Sequence, residues 1–468
     1  MAESRNRRLF FYFRLRAVFA LAGSTVLLTA CLQPARHQAL PQTQLPSQWL
    51  WHEVSDASVE NAPSRWWQTF DDPALDRLID EALAANIDLA AASMRASRAR
   101  LRAGLAASDL APRVEASIEA AATHAFDAPG VRRFSGANVG LLYEIDAWGR
   151  LAARRDEVAW RAQASEADRE AAALSLIGTT ARLYWQIGWL NHDAALADAD
   201  IADAEQALAL ATARRAAGAV SALDIAQAQQ DLAEQRAACA RLLQQREERR
   251  HALSILFDRP PQQRAAEPAD LPSAALPPVR AGLPVELLAR RPDLRAQELR
   301  LRALLANVDA TRASLYPRFT LTGELGTASN ALVHTLSNPT AALGAALAFP
   351  FVQWNTMRYH VPIAQSEYEE ALLAFRQTLY RALSQVEDAL SARKRLDDEA
   401  AERARSLDAA QRAAELAEAR FRAGKTSLAP WLETRRTLRA AQRASAANRL
   451  AQFENRLSLY LALGGGQG

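Results

Sequence analysis

The sequence predicts a mainly α-helical chain built from two tandem repeats, each with a pair of β-strands and one long helical hairpin. Three observations support this fold class: motifs that recur across the chain, segments in which apolar and polar residues alternate, and long alanine-rich stretches with few helix breakers. Half of the 468 residues are hydrophobic, so the chain can bury a large apolar surface.

The repeat is visible as motifs that recur at a nearly constant spacing. Leu110–Arg113 reads Leu-Ala-Pro-Arg, and Leu315–Arg318 reads Leu-Tyr-Pro-Arg, at an offset of 205. Farther along, the offset is 206, and the matching residues are Trp148, Arg214, Gly218 and Ser221 in the first half and Trp354, Arg420, Gly424 and Ser427 in the second. A repeat this long is a structural half and not a solenoid unit. One residue has been gained between Arg318 and Trp354.

The segment 1–30 has the form of a secretory signal peptide. It carries five arginines and one glutamate, or +4, whereas the whole chain carries +3, so the remainder is close to −1. The basic charge therefore belongs to the leader, and the chain lacks the persistent basic surface that nucleic-acid binding requires. The apolar stretch Ala17–Ala30 has 14 residues and is too short for a comfortable transmembrane helix.

The apolar stretch ends in Leu-Thr-Ala before Cys31, which resembles the lipobox of bacterial lipoproteins. By that resemblance Cys31 becomes the acylated first residue of the mature chain, and several acyl chains anchor a protein stably because each buried methylene contributes about 0.8 kcal/mol. Leu32 stands where inner-membrane retention has Asp, which favours the outer membrane. Cys239 lies on an apolar heptad stripe and is predicted to be a packed thiol without a disulfide partner.

Five segments follow from composition and pattern: signal peptide 1–30, acylated tether 31–71, first repeat 72–258, proline-rich connection 259–284 and second repeat 285–468. Residues 32–65 are rich in Pro, Gln, Ser and Ala, so an extended tether is expected behind the lipid. Asp72 then suits the N-cap of a helix with Pro73 in its first turn. This helix is predicted to continue to about Leu110, because Pro112 stops it.

Two strand pairs are predicted, at about 113–146 and 318–352. In each pair, apolar residues alternate with polar or small ones at a period of two. The alternating segments are 114–120, 137–145, 319–325 and 343–349. Four strands of roughly 10 residues result, which is the length that a tilted strand needs to cross a bilayer.

Two long helical hairpins are predicted to follow the strand pairs. Gly149–Ala216 and Asn355–Arg422 would each extend for about 100 Å at 1.5 Å per residue. Each ends in an Arg-x-x-x-Gly-x-x-Ser sequence, in which the glycine suits the left-handed end of a helix and the serine suits the N-cap of the returning helix. The hairpin tips are therefore placed at 214–221 and 420–427, with candidate residues Arg214, Gly218, Ser221, Arg420, Gly424 and Ser427.

The helix lengths indicate how the remaining segments pack. The returning helix Ala222–Asp258 is shorter than the descending helix, and a further helix at Val285–Leu315 would supply the missing length. By the same reasoning, Leu428–Leu463 and Asp72–Leu110 are expected to lie along the second descending helix. The prolines of the connection would then form a band at the middle of the long helices.

The sequence carries no recognisable catalytic or metal motif. None of the seven histidines has metal-ligand spacing with another, and the chain contains neither a phosphate-binding Gly-Lys-Ser/Thr loop nor a Gly-x-Ser-x-Gly elbow. The chain is therefore predicted not to be an enzyme and to need no metal. No cofactor is expected beyond the covalent lipid on Cys31.

Four motifs resemble those of one family. They are Trp66–Leu75 at its start, Gly282–Leu294 and Tyr316–Gly326 in its middle, and Leu461–Gly466 at its end. Together they resemble the TolC-like outer-membrane efflux family, in particular the NodT-type lipoproteins of resistance-nodulation-division (RND) pumps. The resemblance runs from the lipobox to the last residues.

The resemblance implies an outer-membrane exit duct for drugs or other small solutes. Its expected partners are two further copies in a homotrimer, outer-membrane lipid, a periplasmic adaptor (membrane fusion) protein and an inner-membrane RND pump, but no nucleic acid. Four strands cannot close a barrel, and an open edge would leave unpaired backbone groups in lipid. Three chains would instead form a 12-stranded barrel above an α-helical periplasmic tunnel.

The resemblance also implies a gate beside the second hairpin tip. Glu433 corresponds to an acidic ring that lines the constriction in the family, although the family commonly has Asp there. Arg420 and Arg435 are available to compensate its charge. Trp431 and Leu432 could instead seal the duct sterically. The candidate gate residues are Trp431, Leu432, Glu433 and Arg435.

Two alternative functions stay open. An exit duct for protein secretion would use a similar fold, but the lipobox argues against it because those relatives are usually not acylated. A passive coiled-coil spacer of the envelope would have no need of membrane-spanning hairpins, so the alternating strands argue against it. The sequence does not name the exported compound.

Overall fold

The computed structural model describes residues 45–51, 65–124, 126–127, 130–279, 282, 284–329 and 339–465. The predicted signal peptide and Cys31 lie outside these residues. The helices are α1 (Pro73–Ala85), α2 (Ile87–Ser108), α3 (Arg150–Ala216), α4 (Ala222–Ile255), α5 (Leu287–Arg290), α6 (Pro292–Ala313), α7 (Trp354–Arg422) and α8 (Leu428–Ala462). The strands are β1 (Arg113–His124), β2 (Val131–Ile145), β3 (Arg318–Ser329) and β4 (Pro339–Ala348), and short 3₁₀ turns occur at Trp66–Phe70, Pro284–Glu286 and Pro350–Gln353.

The duplication is visible in the bounds of the elements. Helix α6 spans the residues that lie 205 positions after those of α2. Strand β3 likewise spans the residues that lie 205 positions after those of β1. Strand pairing repeats as well: Arg113 pairs with Leu142, and their counterparts Arg318 and Ala348, at offsets of 205 and 206, also pair. Because both ladders keep the same register, the extra residue of the second half lies between β3 and β4.

The four strands form one antiparallel sheet in the order β1-β2-β3-β4. Their lengths are 12, 15, 12 and 10 residues, so each strand is longer than its alternating segment in the sequence. The predicted fourth strand, however, ends at Ala348 and does not reach 352. Pro350 starts a 3₁₀ turn there, and proline cannot donate to a strand ladder.

The two descending helices agree with the predicted segments to within one residue. Helix α3 has 67 residues and α7 has 69, and α7 contains Pro362 without interruption. Asp146 caps the start of α3, because its carboxylate accepts hydrogen bonds from the backbone amides of Leu151 (3.0 Å) and Ala152 (2.8 Å). Of the helices that the structure describes, none combines the length and the apolar character needed to cross a membrane.

The predicted helix from Asp72 to Leu110 is wrong in one respect, because it is two helices. Asp72 does cap α1, and its Oδ1 accepts from the amides of Ala74 and Leu75. The chain then becomes extended at Asn86 (ψ 125°), whose Oδ1 accepts from the amide of Leu89 at 3.0 Å. Asn86 thus ends one helix and caps the next, since short amide side chains compete with the helical backbone.

The predicted helix Val285–Leu315 is also interrupted. Arg291 has extended backbone angles (φ −78°, ψ 118°), and α6 begins at Pro292. A residue that precedes proline is driven out of the helical region by the proline ring. The returning helix α4 ends at Ile255, three residues before the predicted end at Asp258.

Residues 32–65 were predicted to form an extended tether, but the described residues 45–51 contact the folded chain. Trp49 is only 2% exposed, and its indole donates to the carbonyl oxygen of Gly282 at 2.9 Å. The amide of Leu50 donates to Glu387 Oε1 at 2.7 Å. Trp66 is also 2% exposed. Residues 45–51 and Trp66 therefore pack against the folded core.

An aromatic cluster joins this segment to the long helices. Trp66 stacks on Tyr460 of α8 with ring centroids 4.8 Å apart, and Phe70 lies 4.9 Å from Trp185 of α3. Trp185 in turn lies 5.0 Å from Phe453 of α8. Burial of five large rings at one level makes this cluster the main apolar core of the chain.

The proline-rich connection crosses the middle of the long helices, as expected. Asn191 of α3 donates to the carbonyl of Pro268 at 2.8 Å, and Arg393 of α7 donates to the carbonyl of Val279 at 3.2 Å. The connection lies close to α3 at Gly188, where a Cβ atom would lie 2.9 Å from the carbonyl oxygen of Asp270. Only glycine leaves room for this contact.

Helix packing follows the strand order of the sheet. Helices α2, α3, α6 and α7 are attached to β1, β2, β3 and β4, and α2 packs on α3, α3 on α6, and α6 on α7. Helices α4 and α8 pack on α3 and α7, and α8 also packs on α3. The expectation that Asp72–Leu110 lies along α7 of the same chain is therefore wrong. Its second half, α2, packs on α3, because β1 is next to β2 and distant from β4.

Candidate functional site

The register of the sheet separates an apolar face from a polar one. Across all four strands, Val114 pairs with Leu141, Leu141 with Gly323, and Gly323 with Leu343. On the opposite face, the residues include Glu115, Ser117, Glu119, Asn138, Thr320, Thr322 and Glu324. Leu343 is 95% exposed. The chain thus presents a wide apolar sheet face that it does not cover itself.

The two halves meet where the sheet joins the helices. Trp148, which precedes α3, stacks on Tyr316 with centroids 5.0 Å apart, and its indole donates to the carbonyl of Pro317 at 2.8 Å. Arg150 holds both carboxylate oxygens of Glu144 at the end of β2. These contacts fix the angle at which the helices leave the sheet.

Both hairpin tips use the same turn. Gly218 (φ 73°) and Gly424 (φ 68°) have the left-handed conformation that the sequence predicts. The amide after each glycine donates to the backbone carbonyl of Arg214 or Arg420, at 2.8 and 2.9 Å. A Cβ at either glycine would meet nothing within 4 Å, so the need for glycine comes from φ alone. The side chains of both arginines are exposed.

The two serine N-caps differ. Ser221 forms a capping box with Asp224, in which each side chain accepts a hydrogen bond from the other residue's backbone amide. The hydroxyl of Ser221 and then its backbone amide donate to the Asp224 carboxylate, which holds the pKa of Asp224 below its usual range. Ser427 also occupies an N-cap, but its side chain makes no capping bond. The third residue of α8 is Pro430, which has no N–H to donate.

The structure buries Trp431 and Leu432 inside the protomer, and the alternative in which they seal the duct sterically stays a prediction. Trp431 is 9% exposed and stacks on Phe421 of α7, with centroids 4.9 Å apart and ring planes within 7°. Leu432 is buried in the same cluster, which also includes Ala207 of α3 and Phe421 of α7. The cluster therefore packs the start of α8 against α3 and α7.

Arg435 also lies elsewhere than expected. Its guanidinium lies 3.0 Å from Asp203 of α3 and 5.2 Å from the ring centre of Trp431. Glu433, by contrast, is exposed and makes no ion pair in the described part of the chain. Arg420 is exposed as well, so the protomer brings neither arginine to Glu433. Of the four candidate gate residues, Glu433 is exposed, Arg435 is 34% exposed, and Trp431 and Leu432 are buried.

A ladder of buried ion pairs joins α3 to α8, and sequence reasoning missed it. Arg439 contacts both Asp200 and Asp203, and Arg443 contacts Asp193 at 2.6 Å and Asp200 at 2.7 Å. Arg439 and the three aspartates are each less than 9% exposed. The signal was present, because Arg435, Arg439 and Arg443 are spaced four residues apart on α8 and therefore share one helix face.

Cys239 is a packed thiol, as predicted. It is 8% exposed in α4, and its Sγ lies 3.9 Å from Asp198 Oδ1 of α3. Burial, followed by the charge of Asp198, raises the pKa of the thiol.

The chain is similar to known outer-membrane efflux proteins over nearly its whole length. The sequence pattern of the family "Outer membrane efflux protein" matches residues 78–257 and 283–465, two segments that begin at equivalent positions of the internal repeat. The pyoverdine export outer membrane protein OpmQ of Pseudomonas putida is 34% identical over 428 residues, which cover 89% of this chain and 91% of that protein.

Two solved channels have the same fold. The outer membrane channel MtrE of Neisseria gonorrhoeae, in its open state, superposes with a TM-score of 0.79 at 28% identity, covering 91% of this chain and 98% of that one. The outer membrane channel CmeC of Campylobacter jejuni superposes with a TM-score of 0.84, covering 93% and 95% of the two chains, and at 24% identity it shows the fold alone. With its duplicated hairpins and four-stranded sheet, this chain belongs to the outer membrane efflux protein family, the TolC-like channels that serve efflux pumps at the outer membrane.

Proposed function

We propose that the protein is the homotrimeric exit duct of a tripartite efflux system, passing drugs or other small solutes to the cell exterior. One observation supports the trimeric assembly: the chain has a four-stranded sheet with an uncovered apolar face and two unpaired edges. Within the described residues, β1 pairs only with β2, and β4 only with β3. In lipid each unpaired backbone group costs several kcal/mol, so the edges must close on other copies. Three copies supply 12 strands, and the polar face then lines the lumen.

The helical hairpins point to the other partners. Their tips carry exposed, identically built turns at Gly218 and Gly424, which suit docking of a periplasmic adaptor protein. The adaptor would connect the duct to an inner-membrane RND pump, which supplies the energy. The duct itself works without catalysis, metal or cofactor. Its remaining attachment is a lipid on Cys31 in the outer membrane, supported by the lipobox.

Native mass spectrometry of the detergent-solubilised protein tests the assembly. Three copies are expected, each with acyl mass on Cys31 and without residues 1–30. In planar bilayers the trimer should give single-channel conductance, which a passive envelope spacer would not. A folded detergent monomer without conductance would refute the duct, whereas a conducting trimer that lacks acyl mass would refute only the lipid anchor.

A further inference from the structure

The apolar face of the sheet carries basic side chains at the end that lies farthest from the helices. Among the residues of the four described strands, this face has two of them, Arg133 of β2 and His124 of β1. Arg133 pairs with Ala122, and His124 lies one row nearer to the turn, where it pairs with Val131. Arg133 is exposed, and neither Asp127 of the turn nor any other described residue forms an ion pair with it. An arginine without a counter-charge therefore interrupts a face that is otherwise apolar.

We propose that Arg133, assisted by His124, binds a phosphate group of an anionic lipid in the outer leaflet of the outer membrane. The inference rests on the proposed duct, in which the apolar face of the sheet contacts lipid. It goes further because it assigns a lipid-binding site and the chemistry of the group that the site recognises.

The height of the apolar band places Arg133 at the level of the lipid headgroups. With a rise of about 3.4 Å per residue and a tilt of about 40°, the distance from Ile145 to Ser135 along β2 projects to about 26 Å on the membrane normal. The apolar band of membrane barrels is about 25 Å tall. On the same scale, Arg133 lies about 31 Å from Ile145. Its guanidinium would thus lie just beyond the hydrocarbon, where lipid phosphates occur.

The two ends of the apolar band differ in their chemistry. At the end next to the helices, Phe349 and Phe351 are about half-exposed and pack edge to face with ring centroids 5.5 Å apart. Exposed aromatic rings are typical of a membrane interface. At the other end, the last two rows of β1 and β2 carry His124 and Arg133 on this face instead. The planar fork of an arginine matches the oxygens of a phosphate group, so this end suits a phosphorylated headgroup.

His124 is held beside Arg133 with one ring nitrogen available. The two residues are diagonal neighbours on the same face of the β1–β2 pair, which brings their Cβ atoms to about 7 Å, within reach of one phosphate group. Because a carbonyl oxygen can only accept, Nδ1 of His124 donates to the carbonyl of Gly130 at 2.9 Å. Nε2 is then the ring atom that can contact a ligand. Phe126 packs edge-on against the imidazole, with centroids 5.8 Å apart, and helps to fix its orientation.

Arg132 offers a matched control. It precedes Arg133 in β2, is also exposed and forms no ion pair within the described residues, but it pairs with Thr123 on the polar face. Successive side chains of a strand point to opposite faces, so in the proposed duct Arg132 lies on the lumen side and does not reach the lipid.

Lipid binding to the detergent-solubilised trimer tests the site, with diphosphoryl lipid A as the probe. Native mass spectrometry counts the lipid molecules that stay bound as the concentration of the probe rises. Arg133→Gln should raise the concentration for half-occupancy by about tenfold, because hydrogen bonds to charged groups contribute at least that factor. Arg133→Lys should raise it less, since the charge remains, and Arg132→Gln should leave it unchanged. An uncharged diacylglycerol should bind equally to all four proteins.

Equal affinity of the wild-type protein and Arg133→Gln for lipid A would overturn the inference, and so would an equal loss in Arg132→Gln. Weaker binding of diacylglycerol to Arg133→Gln would overturn it as well, because the acyl chains and not the phosphate would then be recognised. If the trimer conducts in planar bilayers, each of these results refutes the lipid site and leaves the duct function standing. Absence of any trimer refutes both.

Discussion

At the scale of single residues, Trp431 and Glu433 of α8 differ in burial, although the sequence predicted both as gate residues. Trp431 is 9% exposed against Phe421, and Glu433 is exposed. Trp431→Ala should therefore loosen the hairpin tip by about 3 kcal/mol, the lower end for loss of a buried aromatic ring. Amide hydrogen exchange should accelerate in residues 417–432. Glu433→Ala is the control and should leave exchange unchanged. Equal effects of the two substitutions would refute the assignment.

Cys239 gives a second prediction at this scale. Burial and the nearby carboxylate of Asp198 raise the pKa of its thiol, and only the thiolate reacts with alkylating reagents. In the folded protein at pH 8, alkylation should be at least about tenfold slower than in denaturant. Asp198→Asn should speed the reaction in the folded state, because the nearby negative charge is removed. A folded-state rate equal to the denatured rate would show that the thiol is accessible.

The residues whose conformation could be predicted are those whose conformation depends on the neighbouring residues in the sequence. Gly218 and Gly424 need a positive φ because they end a helix, and the sequence around them specifies that need. Trp431 and Trp49 could not be placed, because their partners Phe421 and Gly282 are chosen by tertiary packing. The tether is rich in proline and glutamine, and this composition gave no indication that Trp49 is buried.

At the scale of elements, the buried ladder holds α8 to α3. Arg439→Ala removes the partner shared by Asp200 and Asp203, and breaking a buried pair in this way costs about 3–5 kcal/mol. The thermal unfolding temperature of the solubilised protein should fall. Arg412→Ala is the matched control: its pair with Asp408 is more than 60% exposed on both sides and should contribute little. Similar losses in both variants would contradict the role of burial.

The tip turns give a prediction that separates conformation from packing. Gly424 has φ 68° and open space around its Cβ position, so a side chain is disfavoured only by the backbone angle. Gly424→Val should strain the turn by about 1–2 kcal/mol, impair adaptor docking and lower drug resistance. Gly424→Asn should retain resistance, because Asn tolerates the left-handed region. Unchanged resistance for Gly424→Val at equal protein level would remove the turn from the docking surface.

The long elements could be predicted, and the short breaks could not. The periodicity of α3 and α7 extends over many turns, so their bounds agree to within one residue. The breaks at Asn86 and Arg291 each depend on one residue within a helical pattern. The α3–α8 ladder was missed because charged residues at helical spacing usually mark a solvated face. Only the packing of two separate helices buries them.

At the scale of the whole molecule, the repeat distinguishes contacts within a copy from those between copies. Within a copy, α3 meets α8 through the buried ladder. In the proposed trimer, the internal repeat would place α7 against α4 of a neighbouring copy. There the residues matching the aspartates are Glu399, Ser406 and Ala409, and those matching the arginines are Gln229, Ala233 and Ala237. No such ladder would then form between copies, and we expect an opening duct to separate along that boundary.

Glu433 would close the duct at this boundary. Three exposed carboxylates around one axis would repel one another unless a cation or an arginine compensates their charge. Because Arg435 is held by Asp203, the exposed Arg420 of a neighbouring copy is the available partner. Breaking that contact by Glu433→Ala should weaken the closed state, raising basal conductance in planar bilayers and sensitising cells to large antibiotics.

Arg420→Ala should raise the conductance as well, and the exchange Glu433→Arg with Arg420→Glu should lower it again. Restoration by the exchange would require a contact between these two side chains, since neither touches the other within a copy. Trp431→Ala loosens the tip of each copy without touching the axis, so its conductance should change less than that of Glu433→Ala. If Trp431→Ala opened the channel and Glu433→Ala did not, the electrostatic gate would be refuted, and packing within each copy would control closure.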